Sequence, residues 1–592
     1  MKIYRLASSS GATVDYASAL NPKQLEVVMA GEGAILIIAG AGTGKTRTLV
    51  FRVARLLERG VPPDGIMLCT FTNKAAREML KRVEDLIGSQ ARLVLGGTFH
   101  HVANRILRDY AERIGYESGY SILDEEDSQD LLASCVADYK PRGDRFLPRP
   151  AAIIEPISFA INTLQPLDQV ILHHSPELIL FLDDILALAR DFRDRKRKCN
   201  AMDFDDLLLN IKILFEDQHD IAQEISSKLG HILVDEYQDT NALQCDIVDL
   251  LAHQNGNLTV VGDDAQSIYS FRGADPKNIP RFMERWPQAV LFKLEQNYRS
   301  SPQILALANN AIRQNRQQVV KELFGNQPDG PLPALIPVPD NDTQADFVAQ
   351  RVMELAEEGI SLHKMAVLYR AHHHSLELQI ELTRRKIPYL VRSGVRFFEQ
   401  AHIKDVLAYL RILENSHDEL SWMRVLKLQP GIGRQLALRI FDELKQDSNP
   451  LEYLVKRLSI EGIPKRGRDA IQKLVGFFAN HLGKETNTPG RMIQAVLDSG
   501  YRELLAGMYA NPKVRSDDLE RLSEYADRFD SRQSFLSELH LLASFGTEEV
   551  VGSKESGDHL ILSSIHQAKG LEWKVVFLIG LNEGGFPHPR AL

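Results

Sequence analysis

The sequence predicts an α/β protein made of two doubly wound, parallel-sheet blocks, each interrupted by a mainly helical insertion. Three observations carry that prediction. Short apolar runs followed by helical periods recur in two groups, as strands buried on both faces do. Long stretches inside each group keep a helical period with few strand signals. A length of 592 residues provides for about four folding units at roughly 150 residues each.

In the first group, "AILIIA" (34–39), "IMLCT" (66–70), "HILVD" (231–235) and "LTVVG" (258–262) read as buried parallel strands. The helix after the first strand carries Leu49, Val50, Val53, Leu56 and Leu57 on one face, and Gly60 is its stop. In the second group, "VLFKL" (290–294), "MAVLY" (365–369), "LILSS" (560–564) and "VVFLIG" (575–580) repeat the type, and the apolar run from Val575 to Leu581 reads as a buried strand. Helical insertions are expected over 111–199 and 376–550. The Pro-rich "NQPDGPLPALIPVPDND" (326–342) reads as a surface connection within the second block. The basic run "RDRKRK" (193–198) reads as a solvated helix end, and "AHHHS" (371–375) as a polar loop without zinc spacing.

Composition narrows the class. The chain is 44% hydrophobic and 25% charged, ordinary for a globular protein, so extensive disorder is not expected. A net charge of -9 gives no bulk signal for nucleic acid, so any polyanion site has to be a local surface. Four scattered cysteines form no CxxC pair, which argues against a structural zinc and for a reducing compartment. No apolar stretch approaches the length of a membrane span and the N-terminus lacks a signal-peptide core, so a cytoplasmic location without membrane contact is expected.

The chemistry begins at "AGAGTGKT" (39–46), between a buried strand and a helix. Glycines at 40, 42 and 44 let the Ala39–Thr46 backbone curl around phosphate oxygens. Lys45 reaches the β/γ phosphates and Thr46 offers a hydroxyl to Mg²⁺, all at a helix N-terminus that favours anions. Ala39, Gly40, Ala41, Gly42, Thr43, Gly44, Lys45, Thr46 and Arg47 are the expected ATP-binding segment. "HILVDEYQD" (231–239) supplies the acidic half: Asp235 for Mg²⁺, and Glu236 to take a proton from the attacking water.

Further motifs follow in one order: "LNPKQLEVV" (20–28), "TFTNKAAREM" (70–79), "GTFHHVANRIL" (97–107), "DFDDLL" (203–208), "VDEYQDTNALQ" (234–244), "VVGDDAQSIYSFRGAD" (260–275), "LEQNYRSSPQIL" (294–305) and "HQAKGLEWKVVFLIGLNEGGFPH" (566–588). Together they resemble the UvrD/Rep/PcrA group of superfamily 1A DNA helicases over nearly the whole chain. The resemblance implies two RecA-like P-loop domains. Domain 1A would be residues 1–110 and 200–281, with insertion 1B at 111–199; domain 2A would be 282–375 and 551–592, with insertion 2B at 376–550. It implies ATP and Mg²⁺ as cofactors, single-stranded DNA and single-strand/duplex junctions as partners, and 3′→5′ movement that unwinds duplex in repair or replication. Self-association and accessory repair or replication proteins stay open.

Carried over residue by residue, the resemblance makes Gln24 a contact to the adenine edge and Tyr298 a ring stacked on adenine. Gln266 becomes a γ-phosphate sensor, Arg299 an arginine finger in cis, and Glu572 a further nucleotide contact. Lys45, Glu236, Gln266 and Arg299 are thus the expected catalytic set. A sequence-tolerant DNA track needs aromatic faces and phosphate-binding groups. Phe71, Phe204, Tyr269, Phe271 and Phe586 are the aromatic candidates; Thr98, His100, Arg272, His566 and Lys569 are the polar ones. By composition alone most of these aromatics would be core residues, and the resemblance favours Tyr269 and Phe271. "LQPGIGRQLALRIFDEL" (428–444) reads as a helix–hairpin–helix in which Gly431 and Gly433 turn amides toward a duplex phosphate, or equally by itself as two ordinary helices joined by a glycine turn; the resemblance favours the first.

Members of that group continue into a pattern like "YVAxTRA", whose arginine reaches the γ-phosphate; this sequence lacks it. The expectation is an incomplete 2A domain, with Arg299 the remaining finger. The alternative reading is a truncated, nucleotide-responsive single-stranded-DNA-binding protein with weak ATPase and no unwinding.

Overall fold

The computed structural model describes residues 14–140, 147–315, 318–392, 397–447, 449–456, 465–482, 488–509, 512–544, 557–583 and 586. They belong to two compact units, Met1–Leu335 and Ile336–Leu592.

The first unit is built on a six-stranded sheet: β1 (Ile35–Ala39), β2 (Ile66–Cys69), β3 (Leu95–Gly97), β4 (His231–Val234), β5 (Leu258–Gly262) and β6 (Val290–Leu294), in the spatial order β3-β2-β4-β5-β1-β6. All pairings are parallel. The period of two explains why β1 is apolar throughout. Ile35, Ile37 and Ala39 enter one core with Leu49, Val50 and Val53 of helix α1 (Lys45–Glu58), while Leu36 and Ile38 enter the other with Leu207, Leu208 and Leu243. Each of these Ile, Leu and Val side chains contributes about 1.5–3 kcal/mol by leaving water. Gly60, with φ 88°, ends the turn after α1 by donating its N–H to the Leu57 carbonyl.

One strand departs from expectation. Residues 290–294, expected in the second block, run beside β1 from Ile35↔Val290 to Ala39↔Leu294 as the edge strand of the first sheet. The register returns the chain to the end of β1, so the residues after Leu294 lie against the loop that follows Ala39.

Between β3 and β4, helices Glu125–Asp138, Pro150–Thr163, Leu167–His174 and Leu182–Lys198 enclose their own core of Leu132, Cys135, Ile153, Ile171, Ile185, Leu188 and Phe192. The basic run is not wholly solvated. Lys196 is buried, with its ammonium 2.5 Å from Asp203 and 2.6 Å from Asp206. Helical periodicity turns this one side chain inward while its neighbours Arg193, Arg197 and Lys198 stay exposed.

The second unit has a four-stranded parallel sheet of β7 (Met365–Tyr369), β8 (Tyr389–Val391), β9 (Leu560–Ser564) and β10 (Val575–Leu578), in the order β8-β9-β7-β10. Helices between β8 and β9 surround a separate core that includes Leu410, Trp422, Phe478, Met492 and Leu522. The run from Val575, expected to be a buried strand, is an edge strand: Val576 is 47% and Leu578 55% exposed. The boundary between the two units falls within the Pro-rich stretch, between Leu335 and Ile336. The histidine run forms a short turn after β7, where His373 lies 3.3 Å from the buried Asp518. Among the described residues no helix is long and apolar enough to cross a membrane.

Candidate nucleotide site

The end of β1 and the head of α1 are joined by residues 40–44, and Gly44 is the helix N-cap with φ 80°. Gly42 also has a positive φ, 68°, and a Cβ there would lie 2.7 Å from Asn297 Nδ2 and 2.8 Å from Arg299 Cβ. Glycine is therefore required for conformation and for space. A methyl group at Gly40 would collide with the Leu323 side chain. The loop is braced by its own residues: the Thr43 hydroxyl donates to the Gly40 carbonyl at 2.8 Å, and Asn297 Nδ2 donates to the Ala41 carbonyl at 2.6 Å.

Lys45 and Thr46, at the first two positions of α1, face the acidic pair after β4. Lys45 Nζ lies 3.3 Å from Glu236 Oε2, and Thr46 Oγ1 donates to Asp235 Oδ2 at 3.0 Å. Burial, then the charge of Glu236, pushes the Asp235 carboxyl up to about 7. A buried carboxylate so destabilised, beside a hydroxyl at a helix N-terminus, is a hard-oxygen donor pair suited to a divalent cation. Among the described residues no group of three or more His, Cys, Asp or Glu side chains could cage an ion by itself. Thr46 and Asp235 could supply two oxygens to the shell of such an ion.

Glu236 has φ 53°, a left-handed backbone that costs a non-glycine residue on the order of 1–2 kcal/mol. That turn lets its N–H donate to Asp235 Oδ1 at 2.9 Å and points its carboxylate at Lys45. Gln238 Nε2 donates to Glu236 Oε2 at 2.5 Å, and Gln238 Oε1 accepts the Asp263 N–H at 2.9 Å. Asp263 Oδ2 in turn accepts Gln266 Nε2 at 2.7 Å. Of the four expected catalytic residues, Lys45 and Glu236 are in contact, Arg299 lies against Gly42, and Gln266 is joined to Glu236 through Asp263 and Gln238.

Other expected nucleotide contacts are engaged within the protein. Gln24 closes a capping box with Asn21 and donates Nε2 to the Thr43 carbonyl at 2.9 Å, supporting the phosphate loop from below. Tyr298 is exposed, and its hydroxyl accepts Asn21 Nδ2 at 2.7 Å. Arg47 turns outward, donating to the Ala19 carbonyl and lying over Phe51.

The expected DNA-facing aromatics of the first unit form two groups. Phe71 and Tyr269 stack with centroids 5.6 Å apart at 8°, and Tyr269 adjoins Phe271, which is 58% exposed. Phe204, 50% exposed, meets His100 edge-on at 5.7 Å. Burial pushes the His100 imidazole down, so at neutral pH it can donate as a neutral ring rather than act as a cation. Thr98 is not a free hydroxyl, since it caps the helix Phe99–Tyr110 through the His101 N–H. Arg272 follows in the short turn Ser270–Arg272.

In the second unit, Gly431 with φ 82° and Gly433, the N-cap of Arg434–Leu444, form the turn after helix Glu419–Leu428. Ile432 between them is buried, anchoring the turn. His566, Lys569 and Glu572 lie on the loop between β9 and β10, and Phe586 follows β10.

Sequence reasoning missed Asn297, Gln238, Asp263 and Lys321. Asn297, Gln238 and Asp263 lie inside motifs already quoted. Their burial beside a glycine-rich loop is a tertiary fact that spacing does not carry.

A family model described as the UvrD/REP helicase N-terminal domain matches residues 20–287, and one described as the UvrD-like helicase C-terminal domain matches 292–592. An ATP-dependent DNA helicase PcrA of Staphylococcus epidermidis is 33% identical over 590 residues, covering 97% of this chain and 79% of that protein. The protein of the same name from Staphylococcus aureus is 34% identical over 593 residues, with the same coverage.

Proposed function

Because the chain belongs to the UvrD/REP family of DNA helicases, we propose that it moves 3′→5′ on single-stranded DNA and unwinds duplex at single-strand/duplex junctions, in DNA repair or replication. It is an ATP-hydrolysing DNA helicase. The observation that supports the site assignment is the pairing of Lys45 with Glu236 and of Thr46 with Asp235 at the head of α1.

Lys45 has little freedom, since its side chain is buried and pointed by the first turn of α1. Its ammonium exchanges Glu236 for the β/γ phosphates of ATP, and the Glu236 carboxylate then accepts a proton from the attacking water. Gln238 holds one oxygen of that carboxylate and so aims the other. Thr46 and Asp235 would hold Mg²⁺, which when bound neutralises charge on the phosphate oxygens. Arg299, on the segment packed against Gly42, is the proposed finger for charge developing on the transferred phosphoryl group. The stacked Phe71–Tyr269 pair and exposed Phe271 are proposed base contacts, and Phe204 with His100 is a second proposed group. Glu572 stays a proposed nucleotide contact, and His566, Lys569, Phe586, Gly431 and Gly433 stay proposed DNA contacts, on the motifs alone.

Glu236→Gln is expected to retain ATP binding while lowering DNA-stimulated turnover by about 10²–10⁴. Lys45→Ala is expected to lose ATP binding itself. Wild-type turnover in Glu236→Gln would remove the general-base assignment. Unwinding of 5′-tailed in preference to 3′-tailed duplexes would overturn the direction.

A further inference from the structure

Lys321 is a buried cation that no motif accounts for. Its side chain is 6% exposed, and its ammonium lies 2.7 Å from Asp263 Oδ1 and also contacts Asp264 Oδ1. Both carboxylates are buried, 3% and 5% exposed. Burial works against its charge, but the two aspartates more than compensate and hold the ammonium protonated above its ordinary range. A cation between two buried carboxylates is costly to remove, because both aspartates would then keep their charge without this counter-charge.

The partners locate its action. Asp264 Oδ2 accepts the Val319 N–H, so the Lys321 segment is tied to this loop by backbone as well as side chain. Asp263 holds Gln266 Nε2 with Oδ2 while Oδ1 receives Lys321 and the Ala265 N–H. The amide of Gln266 is therefore oriented by a carboxylate whose own position depends on Lys321. The same segment reaches the phosphate loop, where Leu323 packs on Gly40, and Phe324–Gly325 pair in parallel with Gln296–Asn297 just before Tyr298 and Arg299. Asn309 fixes Leu323 at both backbone groups, donating to its carbonyl at 2.8 Å and accepting its N–H at 3.0 Å. One short strap thus touches the phosphate loop, the arginine segment and the loop that carries Gln266.

We infer that Lys321 is a positioning residue for the coupling of DNA binding to ATP hydrolysis: held between Asp263 and Asp264, it fixes the carboxylate that orients Gln266. The inference rests on the reading of Gln266 as the sensor. Without the ammonium, the two aspartates repel and Asp263 turns away, so Gln266 loses its orientation while the phosphate loop keeps its own braces.

The test is steady-state ATPase of the full chain with and without single-stranded DNA, beside ATP affinity measured with a fluorescent analogue. Lys321→Met is expected to leave that affinity within about threefold and to cut the DNA-stimulation ratio about tenfold or more. Lys321→Arg, which keeps the charge, should recover most of the ratio. In a Gln266→Ala background, Lys321→Met should cause no further loss, since both changes break one connection. A ratio unchanged in Lys321→Met would overturn the inference, and so would a full additional loss on top of Gln266→Ala. Stimulation that survives Gln266→Ala alone would instead overturn the sensor reading, and the inference with it. Should Lys321→Met not fold, Lys321→Gln keeps hydrogen-bond donors for the carboxylates without the charge and is read in the same way.

Discussion

Glu236 and Gly42 show how much of this site is settled one residue at a time. Glu236 accepts a left-handed backbone so that its carboxylate and that of Asp235 diverge toward Lys45 and Thr46. Gly42 accepts one so that Asn297 and Arg299 can approach the loop. Gly42→Ala is therefore expected to fold but to lower ATP affinity and turnover at least about tenfold, because the Arg299 segment must retreat and φ must change; equilibrium ATP binding and turnover of the variant check this. That Lys45 and Thr46 would face Asp235 and Glu236 was legible in the sequence because each pair stands in a contiguous motif that follows a buried strand. Lys321 and Asn297 were not, because what defines them is a partner that only the fold brings near. Gln24 is intermediate: its position was readable, but not its use as a cap and a prop for Thr43.

Elements were read best where both faces are buried and worst at sheet margins. The strands β1, β5, β7 and β9 are apolar and buried as their sequences imply, whereas β6 and β10 look the same in sequence yet lie at edges, with Val290, Val576 and Leu578 exposed. Hydrophobic content does not distinguish an edge from a centre; pairing does. The helix Leu182–Lys198 gives a similar lesson, since a run dense in charge hides one inward lysine. Lys196 neutralises Asp203 and Asp206, which also form the capping box of the helix Phe204–Asp217. Burial, then Asp203, pushes the Asp206 carboxyl up to about 6 even with Lys196 present. Lys196→Met is expected to cost about 3–5 kcal/mol, as loss of one partner in a buried pair does. Chemical denaturation of the variant against wild type checks it, and Lys196→Arg should cost less.

At the scale of the whole molecule, a net charge of -9 must coexist with a polyanionic substrate. Binding then depends on local cations for phosphates and on aromatic faces for bases, two contributions that salt separates. Single-stranded DNA affinity is expected to fall about 20-fold between 50 and 200 mM salt if three phosphates are neutralised. Phe71→Ala and Tyr269→Ala should weaken binding at every salt concentration without changing that slope. Titrations of a labelled oligonucleotide at several salt concentrations check both, and a flat profile would count against the DNA track.

The packing of Leu323 on Gly40 makes two positions far apart in the chain a single steric unit. A methyl group at position 40 fits only if the Leu323 side chain shifts, so the tolerance of one position is set by the other and is read from the pair rather than from either alone.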